Sequence, residues 1–128
     1  MPLAKLEILK GHSMEHKTAL FDCVRDGLFV SLSVPKDNCT MRIYELDEWH
    51  FERTPGKTDN FTLIKLTLMP GRSAKLKRDA IVEITRLLGE RLNIAPADVF
   101  IIINELPLEN WGFRGLQASE LGMQYRKE

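Results

Sequence analysis

Two apolar periods alternate along this chain, one of two residues and one of three to four, and together they outline its elements. Residues Leu3 to Leu9 alternate loosely and hold one short apolar cluster, after which Gly11 and Ser13 supply a turn and a helix N-cap. Ala19, Leu20, Cys23, Val24, Gly27, Leu28 and Ser31 then recur at helical spacing, the mark of one buried face, until Pro35 stops the pattern. This predicts a helix over Ser13–Leu32. Met41–Leu46 reads as a second strand, and Asp47–Asn60, charged and broken by Pro55 and Gly56, as a loop or short hairpin. Phe61–Leu68 is a third strand. Ala80, Ile81, Ile84, Leu87, Leu88 and Leu92 form a second helical stripe, and Val99–Leu106 is a nearly continuous apolar strand.

The order is therefore β-α-β, twice, and the repetition extends to individual residues. A displacement of sixty positions lays Gly11 on Gly71, Ser13 on Ser73, Lys17 on Lys77, Val24 on Ile84 and Leu28 on Leu88. This is an internal duplication, with repeats of about 2–58 and 61–117 inside one domain of residues 1–128. Two copies are too few for a solenoid, so the halves are expected to share one four-stranded mixed sheet with both helices on one face, an α+β fold. Right-handed crossovers make the strands of each half parallel, and a pseudo-twofold sets the two pairs antiparallel. Pro2, the chain after Pro35, Met69 to Arg72 and the approach to Trp111 then share one edge of the sheet. The face without helices, expected to be rich in apolar side chains, calls for a partner surface.

Composition narrows the function. Eighteen basic residues balance eighteen acidic ones, so no net field draws the protein to nucleic acid or to an anionic membrane surface, and a small-molecule partner is the better expectation. Two cysteines, Cys23 and Cys39, have neither disulfide-framework nor zinc-site spacing, which fits a cytoplasmic location. No apolar run approaches the roughly 20 residues needed to span a bilayer, and the N-terminus lacks a signal-peptide layout.

Two residues stand out chemically. Pro2, if freed by removal of Met1, would present a secondary amine, which an apolar pocket would hold neutral and able to act as a general base. Arg72 falls between the third strand and the second helix, where a guanidinium beside helix N-terminal amides suits a carboxylate. Trp111 and Phe113, in the stretch Asn110-Trp-Gly-Phe-Arg-Gly115, are candidates either to line that pocket or to pack an interface between subunits. His12, His16 and His50 do not form a metal set, so no metal is assigned, and Lys75, Lys77 and Arg78 read as the solvated side of the second helix. Tyr44 and Glu45 read as strand packing, and the polar tail from Glu120 as either disordered or wrapped on a neighbour.

Pro2 opening a strand, Val34-Pro35 closing the first helix, Gly71-Arg72-Ser73 with Lys77, and Glu105 followed by Asn110-Trp111-Gly112-Phe113 together resemble the tautomerase superfamily, particularly its malonate semialdehyde decarboxylase branch. The resemblance runs from Pro2 to about Gln117. It implies a homotrimer of β-α-β-β-α-β subunits without metal or organic cofactor, in which an N-terminal proline works with arginine on a small 2-oxo or 3-oxo acid. Members that decarboxylate or hydrate carry an aspartate shortly after the Val-Pro pair. Here Asn38 aligns there and Asp37 is adjacent, both candidates for substrate contact, while Pro70 replaces one of two arginines frequent in that branch.

The leading expectation is thus an isomerase moving a proton between carbon and oxygen of a small oxo acid, with Pro2 as base and Arg72 as carboxylate holder. The alternatives are a decarboxylase of a 3-oxo acid in the same site and a non-catalytic module that binds a small ligand. RNA binding is disfavoured by the lack of a basic bias.

Overall fold

The structure, a computed structural model, describes residues 1–128. Alternation in β1 (Leu3–Leu9) separates two environments: Ala4, Leu6 and Ile8 are fully buried, while Leu3, Lys5 and Glu7 are only half-covered on the opposite face. The chain continues through α1 (Met14–Leu32), β2 (Thr40–Leu46), β3 (Thr62–Leu68), α2 (Ala74–Leu92) and β4 (Val99–Glu105), and ends with the short hairpin β5 (Gly112–Phe113) and β6 (Leu116–Gln117). The four long strands form one sheet in the order β2-β1-β3-β4. β1 pairs β2 in parallel and β3 pairs β4 in parallel, whereas β1 and β3 meet antiparallel at the centre, with Lys5 opposite Lys65. No helix is long and apolar enough to cross a membrane.

The two helices begin and end alike because the same local chemistry recurs. Ser13 Oγ accepts from His16 N at 3.0 Å and Ser73 Oγ from Leu76 N at 3.2 Å, each satisfying an otherwise unpaired amide of the first turn. At the C-termini Ser33 and Asn93 adopt left-handed conformations, with φ of 59° and 56°. There Val34 N donates to Leu28 O at 3.3 Å and Ile94 N to Leu88 O at 3.2 Å, closing both helices with the same wrapped turn.

Both helices pack on one side of the sheet, where Leu6, Ile8, Ile64, Leu66 and Leu68 meet Leu20, Val24, Leu28, Leu76, Ile84 and Leu88 in a single core. Each such side chain contributes about 1.5–3 kcal/mol by leaving water. Gly27 lets the helices approach: a Cβ there would lie 2.6 Å from Ile84 Cγ1. Ile81 departs from the predicted stripe and is exposed, since it follows Ala80 by one residue and is turned some 100° around the helix.

Two further expectations need correction. The helix-free face is mixed and not dominated by apolar groups. Leu3, Leu63, Phe100 and Ile102 share it with Lys5, Glu7, Arg42 and Lys65, because these charged residues occupy the alternate positions of the same strands, and Lys65 Nζ pairs with Glu7 at 3.3 Å. The C-terminal tail, one of whose expected states was disorder, is packed. It folds back on its own chain, where Lys127 O accepts from Ser73 N at 2.7 Å.

Candidate active site

Pro2 precedes β1 and is buried, and its carbonyl accepts from Thr40 N at 3.0 Å, which fixes the chain start beside the start of β2. The turn after α1 brings Val34, Pro35 and Asn38 to the same edge, and the β3–α2 turn brings Met69 and Arg72. Met1, Met123 and Tyr125 complete a cleft of about 70 Å³. That is far below the roughly 300–1,000 Å³ of pockets for drug-sized ligands, so the site suits a molecule of few atoms.

Arg72 is the electrostatic centre of this cleft. Gly71, with φ of 97°, turns the chain so that the guanidinium is directed inward, and only 6% of Arg72 remains exposed. No carboxylate pairs with it. Its Nη1 makes one long hydrogen bond, 3.4 Å, to Met69 O, and its Nε has no partner. Burial pulls its pKa below the usual arginine value, partly offset by Tyr125 and Glu105. The nearby carboxylate of Glu105 is committed elsewhere: it accepts from Lys77 Nζ at 3.0 Å and from Gly71 N at 3.2 Å. A buried cation left with unused donors is costly unless an anion meets it.

The expectation of a free N-terminal proline is corrected by the structure. Met1 is joined to Pro2, so the Pro2 nitrogen is a tertiary amide with no basic lone pair and cannot act as a general base. The free amine at this edge is the α-amine of Met1. Desolvation and then the neighbouring Arg72 push its pKa below the ordinary α-amine value.

The other expected residues divide. Asn38 lines the cleft, whereas Asp37 is exposed and is not among the lining residues. Trp111 and Phe113 are not among them either. Their rings stack on each other with centroids 6.2 Å apart, and Trp111 Nε1 donates to Leu106 O at 3.1 Å. Tyr44 lies against Arg42, and Glu45 pairs with Lys17 at 2.9 Å. His12 and His16 stack with centroids 4.1 Å apart, while His50 lies 3.8 Å from Asp47. Sequence reasoning missed Tyr125, whose only signal was being an aromatic residue within a polar tail.

The pseudo-equivalent end of the sheet is built differently. Sixty positions from Asn38 stands Asp98, 3% exposed, which accepts from Thr58 N at 2.8 Å and from Thr58 Oγ1 at 2.5 Å. The β2–β3 loop is thereby held over the place where the second repeat would have its own cleft, and His12 stands where Arg72 would recur. The cleft at Arg72 is thus built from the turn of one repeat and the start of the other.

A family model described as "Tautomerase enzyme" matches residues 38–114, more than half of the chain, and the chain belongs to that family. The 2-hydroxymuconate tautomerase of Comamonas testosteroni is 38% identical over 58 residues, 45% of this chain and 92% of that protein, a relative about as long as one repeat. The fold matches that of native fused 4-OT with a TM-score of 0.86 at 20% identity, covering 94% of this chain and 99% of the other. It matches malonate semialdehyde decarboxylase with a TM-score of 0.81 at 20% identity, covering 93% and 95%.

Proposed function

We propose that this chain is a tautomerase-family enzyme that binds a small oxo acid through its carboxylate at Arg72 and transfers a proton on it between carbon and oxygen. The observation that carries this reading is the buried guanidinium with no carboxylate partner at the wall of a small cleft. A carboxylate accepting from its free donors would relieve their desolvation, and the same cation would stabilise an enolate as charge develops. Pro2 contributes wall and not base. The proton carrier in this reading is the α-amine of Met1, a residue that lines the cleft with Arg72 and whose amine pKa is pushed down by desolvation and by Arg72.

Proton transfer fits better than decarboxylation or hydration. The polar residues that the turn after α1 brings to the cleft are Ser33 and Asn38, and neither carries a carboxylate that could activate water as a base. We further propose a homotrimer. Fused 4-OT relatives of the same fold are described as trimers, and Leu63, Phe100 and Ile102 on the helix-free face await cover.

The test is enol-to-keto conversion of phenylpyruvate by wild type, Arg72→Ala and a chain acetylated at its α-amine, with intact mass establishing which residue carries that amine in each sample. Loss of turnover by at least ten-fold in both modified proteins is expected. Turnover indifferent to Arg72 would overturn the carboxylate reading, and turnover surviving acetylation would overturn the amine's role.

A further inference from the structure

The guanidinium of Arg72 has an unusual support. Its Cζ lies 4.9 Å from the ring centroid of Tyr125, a residue more than fifty positions away in sequence. Tyr125 is itself held: its hydroxyl donates to Pro70 O at 2.7 Å, on the turn that carries Arg72. The tail is tied again two residues later, where Lys127 O accepts from Ser73 N at 2.7 Å. The strap lies close along this turn: a Cβ at Gly71 would be in ordinary contact with Lys127 Cδ at 3.6 Å. Met123, Gln124 and Tyr125 thereby form one wall of the cleft.

These contacts do what the hydrogen bonds of Arg72 do not. One 3.4 Å bond to Met69 O does little to fix the plane of the guanidinium. An aromatic face attracts the cation without consuming its N–H donors, so the guanidinium is held in place while its edge stays available to an anion. A carboxylate partner would hold it more firmly but would occupy those donors. Burial raises the pKa of the Tyr125 phenol, so it remains protonated and keeps donating to Pro70 O at neutral pH.

We propose that Tyr125 is the positioning residue for Arg72, the C-terminal strap Met123–Lys127 presenting its ring so that the guanidinium is pre-set to receive a substrate carboxylate. This rests on the carboxylate-binding reading above and adds to it a residue that does not touch the anion.

Calorimetric titration of the full chain with pyruvate, and with uncharged pyruvamide as comparison, separates the two ideas. Tyr125→Leu and Tyr125→Met are expected to raise the Kd for pyruvate by about 3- to 30-fold, the range of a partly desolvated cation–π contact, and to leave pyruvamide unchanged. Tyr125→Phe, which keeps the ring, should stay within about three-fold of wild type. Thermal unfolding of the same samples identifies any variant that fails to fold, and either non-aromatic variant suffices. If Arg72→Ala weakens pyruvate binding while both non-aromatic variants bind it like wild type, the role of Tyr125 is overturned and the carboxylate reading stands. If Arg72→Ala binds pyruvate like wild type, both are overturned. Equal losses for pyruvate and pyruvamide would mark Tyr125 as packing alone and also overturn its positioning role.

Discussion

Lys77 Nζ lies 3.0 Å from Glu105 Oε1, joining the first turn-and-a-half of α2 to the end of β4. The same pair recurs sixty positions earlier, where Lys17 lies 2.9 Å from Glu45. The duplication therefore preserved an interaction as well as a sequence pattern. The two copies differ in one respect: the second oxygen of Glu105 also accepts from Gly71 N, and so braces the turn that aims Arg72.

That difference predicts different consequences. Glu45→Ala and Glu105→Ala should each lower stability by roughly 0.5–1.5 kcal/mol, the range of a half-exposed ion pair or a net hydrogen bond. Only Glu105→Ala should also weaken pyruvate binding. Denaturant titration alongside calorimetry checks this, and equal binding by the two variants would show that the brace is unimportant to the site.

Asp98 predicts a stability effect without a functional one. Asp98→Ala leaves the Thr58 amide without its acceptor in a partly buried place, which costs about 1–3 kcal/mol. Hydrogen exchange at Thr58 and its neighbours should accelerate while pyruvate affinity stays at the wild-type value. Unchanged exchange there would show that other contacts hold the loop.

Gly27 tests the helix packing. Gly27→Ala places a methyl against the backbone and side chain of Ile84, and the expected cost is about 1–3 kcal/mol for overpacking a fitted contact. Midpoint shifts in chemical denaturation measure it. A neutral or stabilising result would mean that α1 and α2 separate at little cost.

Stability should slope with pH at both ends. The α-amine of Met1 has a folded pKa below its unfolded value, which is about 7.7–8.0, so the unfolded chain binds more protons between them. Stability therefore rises with pH across that window and levels above it, and acetylation of the amine should flatten the slope. On the acid side Asp26 is held below the usual carboxylate range by hydrogen bonds from Arg91 and then Lys36. Its contribution is present above the unfolded pKa of about 3.9 and is lost as pH falls through the lower folded value. Asp26→Asn should reduce this limb of the profile without abolishing it, since Asp79 and Glu83 are held low as well, as measured by denaturation from pH 3 to pH 9.

The sequence by itself determined the elements, their order and the duplication, because the information involved is local. Strand alternation, a helical stripe and a serine cap each lie within one or two turns of chain, and two copies of every signal agree. It also placed Arg72 beside the start of α2, since that depends on the chain between two adjacent elements. Tertiary structure alone decided how the two pseudo-equivalent sheet ends differ: Asp98 and Thr58 meet across forty positions at one end, a contact with no periodic signature, while the other holds Arg72. It decided that the tail returns to its own Arg72 through Tyr125, and that Trp111 and Phe113 pack on each other and not into this cleft. The chemistry at Pro2 belongs to neither level of folding: residue identity suggested a base, but the covalent bond to Met1 makes the nitrogen an amide, because basicity belongs to a lone pair and not to a residue type.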